Sequence, residues 1–480
     1  MPRLPRHLSH SFWAVLDTVC YPLLYFALTP MLIRYMGPVV FGFWMLLNTV
    51  VTVLTLFNFN FGVPAMRPIA EARAVGNTDR VRDVINSLLR TTVFQFVFLC
   101  VLGLLLCFII SRTEWSRDAL RLPYGPWCFF LAAVLAGLKF FEQLFQNILK
   151  AYEQFRSASL MNILSRSGAL IISLLIAMNW PGLIFWVLLG NIFISLAAIG
   201  LQLYNTYRLL PFYHLARIQD RSLQWSLLQY SLWPWLQSIF VVLTFQTDRF
   251  WVTAIAGLRE VSLYALVATM FNHIHMIFSA SVAWAFPQIV GRHAREEGLE
   301  AEYRFINSLL IIFSTLALAS FYLLSPGLMA AWVGEETYLG LKPYVQSFTA
   351  FELAFVHTIM PMFLLNGTGR ERQATFTMLI CCAFCFTLML AGLWYFKSPV
   401  ALVQGMTLGA CLSIPFMVRR SHSGGKLPLE LLPTVAMIVW IYAPDFLSRG
   451  IALLLALLGF WRFYFVHLKD PKVWRQLMHG

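Results

Sequence analysis

Residues 85–89 read Ile-Asn-Ser-Leu-Leu, and residues 306–310 read Ile-Asn-Ser-Leu-Leu again. A short identity in a leucine-rich chain carries little alone, but its surroundings repeat as well. Gly37, followed by Trp44 and then by Arg67-Pro68-Ile69, lines up without gaps with Gly257, Tyr264 and Pro287-Gln288-Ile289. The offset is about 220 residues throughout, with the pentapeptide one residue out of that register. Agreement between the offsets makes internal duplication the better reading than chance.

Outward from the pentapeptide, the chain breaks into apolar runs long enough to cross a bilayer. They lie near 11–33, 43–66, 89–111, 126–149, 160–178, 183–205, 226–247, 259–286, 305–327, 345–366, 377–396 and 400–418, with two more near 429–445 and 447–467. A crossing takes ~20 apolar residues, so the whole length is used by about 14 transmembrane helices and short turns. The repeat starts at the first and seventh spans, which gives both copies the same orientation. Parallel halves are related by an axis along the membrane normal and enclose a site between them. The expected fold is therefore an all-α polytopic membrane protein. It has a six-helix lobe at 1–210, a second six-helix lobe at 220–418 related to the first by a pseudo-two-fold axis, and two additional helices with a tail at 419–480.

Composition agrees. Of 480 residues, 59% are hydrophobic and 12% charged, and the mean hydropathy is +0.70. A soluble domain needs about 25% charged residues to clothe its core. The net charge of +13, which in a soluble chain would suggest nucleic acid, here reports topology. With the N-terminus in the cytoplasm, about 25 basic residues fall on the cytoplasmic side and about 9 on the far side, so both termini are expected inside. Arg3, Arg6 and His7 before a long apolar stretch resemble the head of a signal peptide, but the run is too long and lacks a small-x-small cleavage site, so it reads as a retained first helix.

Several chemistries are excluded. Gly424-Gly425-Lys426 is followed by Leu427 and lacks the upstream glycine of a phosphate-binding loop, and there is no HExxH or GxSxG. The eight cysteines sit in or beside apolar runs; even Cys381, Cys382 and Cys385 have no histidine nearby, so no metal or cofactor is expected. The longest outer loops, near 112–125 and 328–344, are about fifteen residues long, too short to hold the acceptor of a membrane polymerase or glycosyltransferase. The expectation is not an enzyme.

The segments Arg34-Tyr35-Met36-Gly37, Phe41-Gly42-Phe43-Trp44, Phe57-Asn58-Phe59-Asn60-Phe61-Gly62 and Arg67 resemble the first hairpin of the polysaccharide (O-antigen type) flippases of the multidrug, oligosaccharidyl-lipid and polysaccharide exporter superfamily. Asp248-Arg249, Gly257 and Tyr264 resemble the seventh and eighth spans of the same family. Asn58 and Asn60 depart from the more usual apolar and acidic residues there. The resemblance implies alternating-access transport of a polyprenyl-diphosphate-linked oligosaccharide from the inner to the outer leaflet of the bacterial inner (plasma) membrane. It also implies membrane lipids as surroundings, a proton or sodium ion as a coupling ion, and a polysaccharide polymerase complex as a downstream partner. An antiporter for drugs or metabolites on the same fold, and a polytopic scaffold or enzyme of polysaccharide synthesis, are the alternatives.

Polar groups at membrane depth are costly and mark candidates. Lys139, Glu142, Gln143, Gln146 and Lys150 share one face of the fourth span. Either Lys139 meets a diphosphate or acidic sugar, or Lys139 and Glu142 neutralise each other as an i,i+3 pair. Gln229, Trp233, Gln237, Thr244 and Asp248 form a second stripe, with Arg249 beside it; Asp248 and Arg249 lie near the outer end of the span and are either functional or a surface ion pair. Asp17, Tyr21 and Tyr25 share a face of the first span, where Asp17 is the candidate coupling carboxylate. His273, His275, Glu352 and His357 collect in the second half, and histidine titrates near neutral pH. The resulting assignment has Lys139, Arg249 and Arg34 contacting anionic groups and Asn58, Asn60, Gln143, Gln146 and Gln237 binding hydroxyls. Asp17, Glu142, Asp248, His273, His275, Glu352 and His357 balance charge or carry the coupling ion.

Overall fold

The computed structural model describes residues 6–58, 69, 72–73, 76–112, 122–210, 221–296, 298–421 and 431–442. Asn60, the loop around Arg67 and the last expected span at 447–467 lie outside the described residues. Among the described residues the regular structure is helical throughout. The elements are α1 (Arg6–Met36), α2 (Pro38–Leu54), α3 (Thr78–Arg112), α4 (Gly125–Ala151), α5 (Phe155–Asn179), α6 (Ile184–Leu209), α7 (Arg221–Phe245) and α8 (Asp248–Ser281). After these come α9 (Ala285–Ala294), α10 (Glu300–Val333), α11 (Glu335–Phe355), α12 (Ile359–Gly367), α13 (Glu371–Phe396), α14 (Pro399–Ser421) and α15 (Leu431–Tyr442). This is the all-helical membrane architecture that the apolar runs require, because lipid offers backbone groups no partners and each span must satisfy its own.

Among the described residues eleven segments are long and apolar enough to cross a membrane, and one of them, Trp235–Ser281, is 47 residues long. At 1.5 Å per residue that is roughly 70 Å, about twice the hydrocarbon thickness. It is broken at Gly257, whose φ of 78° and ψ of 178° are not helical. The helix also resumes at Asp248 after the turn at residues 246–247, so the stretch 248–256 is helical rather than the outer loop that the end of the apolar run suggests. α15 is a shorter apolar helix.

Gly257 has a counterpart. Gly37, its partner in the repeat, joins α1 to α2 with φ 74° and ψ 162°. This corner of the backbone map is open essentially to glycine alone, and one such residue reverses the chain without a loop. Pro38 then starts α2, where its missing N–H costs nothing. Gly334, between α10 and α11, repeats the device with φ 89° and ψ 153°. The pentapeptides also occupy equivalent places, in the second and third turns of α3 and α10. Ile85 and Leu88 are buried against Leu144, Phe145 and Ile148 of α4, and Ile306, Ser308 and Leu310 are buried in their own copy.

The chain divides into two compact units, Met1–Ala265 and Leu266–Gly480. In the first, a Cβ on Gly42 would stand 1.9 Å from the carbonyl oxygen of Leu258, so only glycine lets α2 lie against the start of that turn. In the second, α13 and α14 form the most extensive helix pair. Gly405 and Gly409, one turn apart on α14, lie against the backbone of Leu388 and Cys385, where a Cβ would come within 2.1 and 2.5 Å. Close backbone approach through small residues is how helices associate where lipid removes the hydrophobic drive.

Candidate functional site

The polar side chains of the first unit meet along the seam where α1, α4, α5 and α6 pack. On α1, Asp17 and Tyr21 are four residues apart and share a face; on α5, Asn162 and Arg166 do the same. The faces meet in register. Arg156 lies over the Trp13 ring at 5.5 Å, Asn162 Nδ2 donates to Asp17 Oδ1 at 2.6 Å, and the Arg166 guanidinium lies 5.8 Å from the Tyr21 ring centroid. Residue numbers rise together along both helices, so α1 and α5 run parallel, as first and fifth spans must.

α4 enters the seam from the other direction. Gln146 Nε2 donates to Asn162 Oδ1 at 3.3 Å, and Lys139 Nζ donates to Ser165 Oγ at 2.9 Å. Lys139 also pairs with Glu142 Oε1 at 2.7 Å, the side chains being 30% and 4% exposed. The remaining capacity of Glu142 is filled by hydroxyls, with Ser165 donating to Oε2 at 2.7 Å and Ser195 of α6 donating to Oε1 at 2.5 Å. The carboxylate is held by donors from three helices, and two of the ammonium's three N–H groups are used within the protein. Of the open readings for Lys139, the paired one is what the seam contains, with the side chain still 30% exposed.

Other candidates sit elsewhere. Gln143, on the same stripe, turns to Asn58, whose Nδ2 donates to Oε1 at 2.8 Å; Asn58 is buried. Arg34 is exposed at the end of α1. Gln237 is half-buried in α7, and Asn60 lies outside the described residues. Asp248 and Arg249 are 2% and 7% exposed, not a surface pair. Tyr264 donates its hydroxyl to Asp248 Oδ2 at 2.6 Å. The backbone N–H of Arg249 donates to Asp248 Oδ1 at 2.8 Å, and Arg249 Nη1 donates to Thr49 Oγ1 at 3.0 Å. These two charges open the helical stretch that runs from Asp248 to the break at Gly257.

In the second unit, His275 Nδ1 and Glu352 Oε1 are 2.8 Å apart. His357 Nε2 meets Thr434 Oγ1 of α15 at 2.9 Å, and His273 is buried on α8. Among the described residues no group of three His, Cys, Asp or Glu side chains could hold a metal ion.

Arg166 is the residue that the stripe analysis of the sequence passes over. The signal is plain in the chain, a single arginine inside the apolar run 160–178. It is exposed in the middle of α5 and makes no ion pair among the described residues, with the Tyr21 ring as its one contact. An arginine held at that depth against lipid is expensive, so a wet cavity is the environment that accounts for it.

Comparison with known proteins bears on this arrangement. No curated protein matches the chain. Among solved structures, the fold is similar to one described as lipid II flippase MurJ in an inward closed conformation, with a TM-score of 0.67 at 12% identity over 95% of this chain and 99% of that one. It is also similar to an inward-facing multidrug resistance MATE family transporter of the MOP superfamily, with a TM-score of 0.56 at 11% identity over 92% of this chain and 94% of that one. At these identities the likeness is one of fold. The family model described as polysaccharide biosynthesis protein matches residues 8–291. A multi-pass helical membrane protein whose first two hairpins, polar seam and Gly257 turn all lie inside that match, the chain belongs to the polysaccharide biosynthesis protein family.

Proposed function

We propose that this protein is a flippase that carries a polyprenyl-diphosphate-linked oligosaccharide from the cytoplasmic to the outer leaflet of the bacterial plasma membrane by alternating access. Membership of the polysaccharide biosynthesis family supports the sugar, and a fold shared with a lipid II flippase supports the lipid carrier. The single observation that carries the substrate's charge is Arg166. Lys139 and Glu142 cancel, which leaves Arg166 as an exposed guanidinium at membrane depth, against an aromatic ring and with no ion pair among the described residues. A diphosphate matches the fork of donors that such a group presents. A transporter for cationic drugs would need the opposite sign there.

On this reading Arg166 and the third N–H of Lys139 contact the diphosphate, with Arg249 and Arg34 as further cations on its path. Asn58, Asn60, Gln143, Gln146 and Gln237 supply amides for sugar hydroxyls, and Asp17, bonded to Asn162 alone among the described residues, is available for charge balance. Both termini are cytoplasmic, and the product would pass to a polymerase on the far side. Arg166→Ala and Arg166→Lys, expressed in a strain lacking the native gene, test the assignment. Surface polysaccharide should fall at least tenfold in the alanine variant and recover in part with lysine, at equal membrane levels of protein. Full surface polymer with Arg166→Ala would remove Arg166 from the substrate path.

A further inference from the structure

The second unit holds a pair that the polar seam of the first does not use. Glu352, on α11, has a side chain 2% exposed and, among the described residues, a single partner, His275 of α8. The His275 side chain is 22% exposed, its Nδ1 faces Glu352 Oε1 at 2.8 Å, and its Nε2 makes no hydrogen bond among the described residues. The ring lies against Phe355, centroids 4.9 Å apart, and Phe355 stacks on Phe351 at 5.1 Å. The pair thus has one dry end, where a carboxylate orients the imidazole, and one accessible end, where a ring nitrogen carries a free lone pair.

We propose that His275 and Glu352 are the proton-carrying site that couples transport to the proton gradient. The proposal rests on the transporter reading and names its coupling ion. Without the transported proton, neutral His275 donates its Nδ1–H to the Glu352 carboxylate and the pair carries one negative charge. A proton from water binds Nε2, and the pair becomes a neutral imidazolium–carboxylate; no other bond forms or breaks. Sodium fits poorly, because a hard cation takes several oxygen ligands and Glu352 has a nitrogen as its neighbour instead, with no metal-holding cluster among the described residues.

The position gives the charge change a consequence. Directly after Phe355 the helix tightens into a 3₁₀ turn, Val356–Thr358, before α12 begins. A 3₁₀ turn inside a span is a common hinge. Both the turn and the helix before it are tied to α15, by His357 on Thr434 and by Gln346, whose Nε2 donates to the Ile441 carbonyl oxygen at 2.9 Å, so a charge change at Glu352 acts on a segment braced against α15. Other titratable groups on the surrounding elements include Asp248, Arg249, Arg259, Glu260, Tyr264 and His273 on α8, Tyr303, Arg304 and Tyr322 on α10, Glu335, Glu336, Tyr338, Lys342 and Tyr344 on α11, His357 on the turn, Cys411 and Arg419 on α14 and Tyr442 on α15. None of them, and no other charged side chain among the described residues, pairs with His275 or Glu352.

The full-length protein in lipid nanodiscs tests this by hydrogen–deuterium exchange of the segment 350–366 between about pH 5 and pH 8, the range in which imidazole titrates. Each pH is run in sodium and in potassium chloride. The protection of that segment, corrected for the intrinsic pH dependence of amide exchange, should change severalfold with pH and not with sodium in the wild-type protein, and the pH effect should vanish in His275→Gln and Glu352→Gln. The same variants, in the gene-deleted strain, should leave lipid-linked glycan accumulating at normal protein levels. A wild-type segment whose corrected protection is indifferent to pH, or responsive to sodium, overturns the proposal without any variant. So do variants that restore surface polymer in full. The transporter reading fails separately, by deletion of the gene leaving glycan pools unchanged.

Discussion

Replacing Glu142 with Gln strands the Lys139 ammonium between α4 and α5, and replacing Lys139 with Met strands a carboxylate that is 4% exposed. Breaking a buried pair from one side costs about 3 kcal/mol, whereas replacing both sides at once is often nearly neutral. Each single variant should therefore melt lower in detergent than the wild type, and the double variant Lys139→Met with Glu142→Gln should recover most of the loss. Equal melting of all the variants would mean that the pair does not hold the seam. The i,i+3 spacing made this pair readable in advance. Its hydroxyl partners were not, because Ser165 and Ser195 come from other helices and a serine in a span gives no sign of what it faces. Arg166 was readable and is the strongest polar signal of α5. Asn58 reads as an amide for substrate hydroxyls, but its Nδ2 is taken by Gln143, a tertiary match that spacing along one helix cannot supply.

At the scale of elements, three helix pairs are joined through single glycines with φ between 74° and 89°. Nothing lies within 4 Å of a Cβ built on Gly37, so Gly37→Ala isolates the backbone cost. That cost is about 1–3 kcal/mol, and the variant should fold but melt lower. Gly409→Val, by contrast, drives side-chain atoms into the Cys385 backbone and should not accumulate in the membrane at all. Immunoblots of membranes with a melting curve separate the two, and a Gly409→Val protein at wild-type levels would contradict the packing of α13 on α14. The repeat pointed to Gly37 and Gly257 as equivalent, and their backbones agree. The apolar runs placed most helices, because lipid thickness fixes span length. They ended the seventh span close to where α7 stops, at Phe245, but gave no sign of the helical stretch 248–256 that follows the turn; there Asp248 and Arg249 are buried, not a surface pair, and the Tyr264 hydroxyl satisfies the carboxylate.

For the whole molecule, composition already implied a membrane protein and duplication implied a two-part body, while the function rests on residues that act only when substrate is present. The central claim is that this chain moves lipid-linked oligosaccharide, and the most direct measurement is mass spectrometry of polyprenyl-diphosphate-linked glycans beside surface polysaccharide in a strain deleted for the gene and in the same strain carrying it on a plasmid. Complete repeat units should accumulate on the lipid while surface polymer disappears, and both should revert with the plasmid. Unchanged glycan pools with normal surface polymer would contradict the account, and incomplete repeat units would place the protein in synthesis instead.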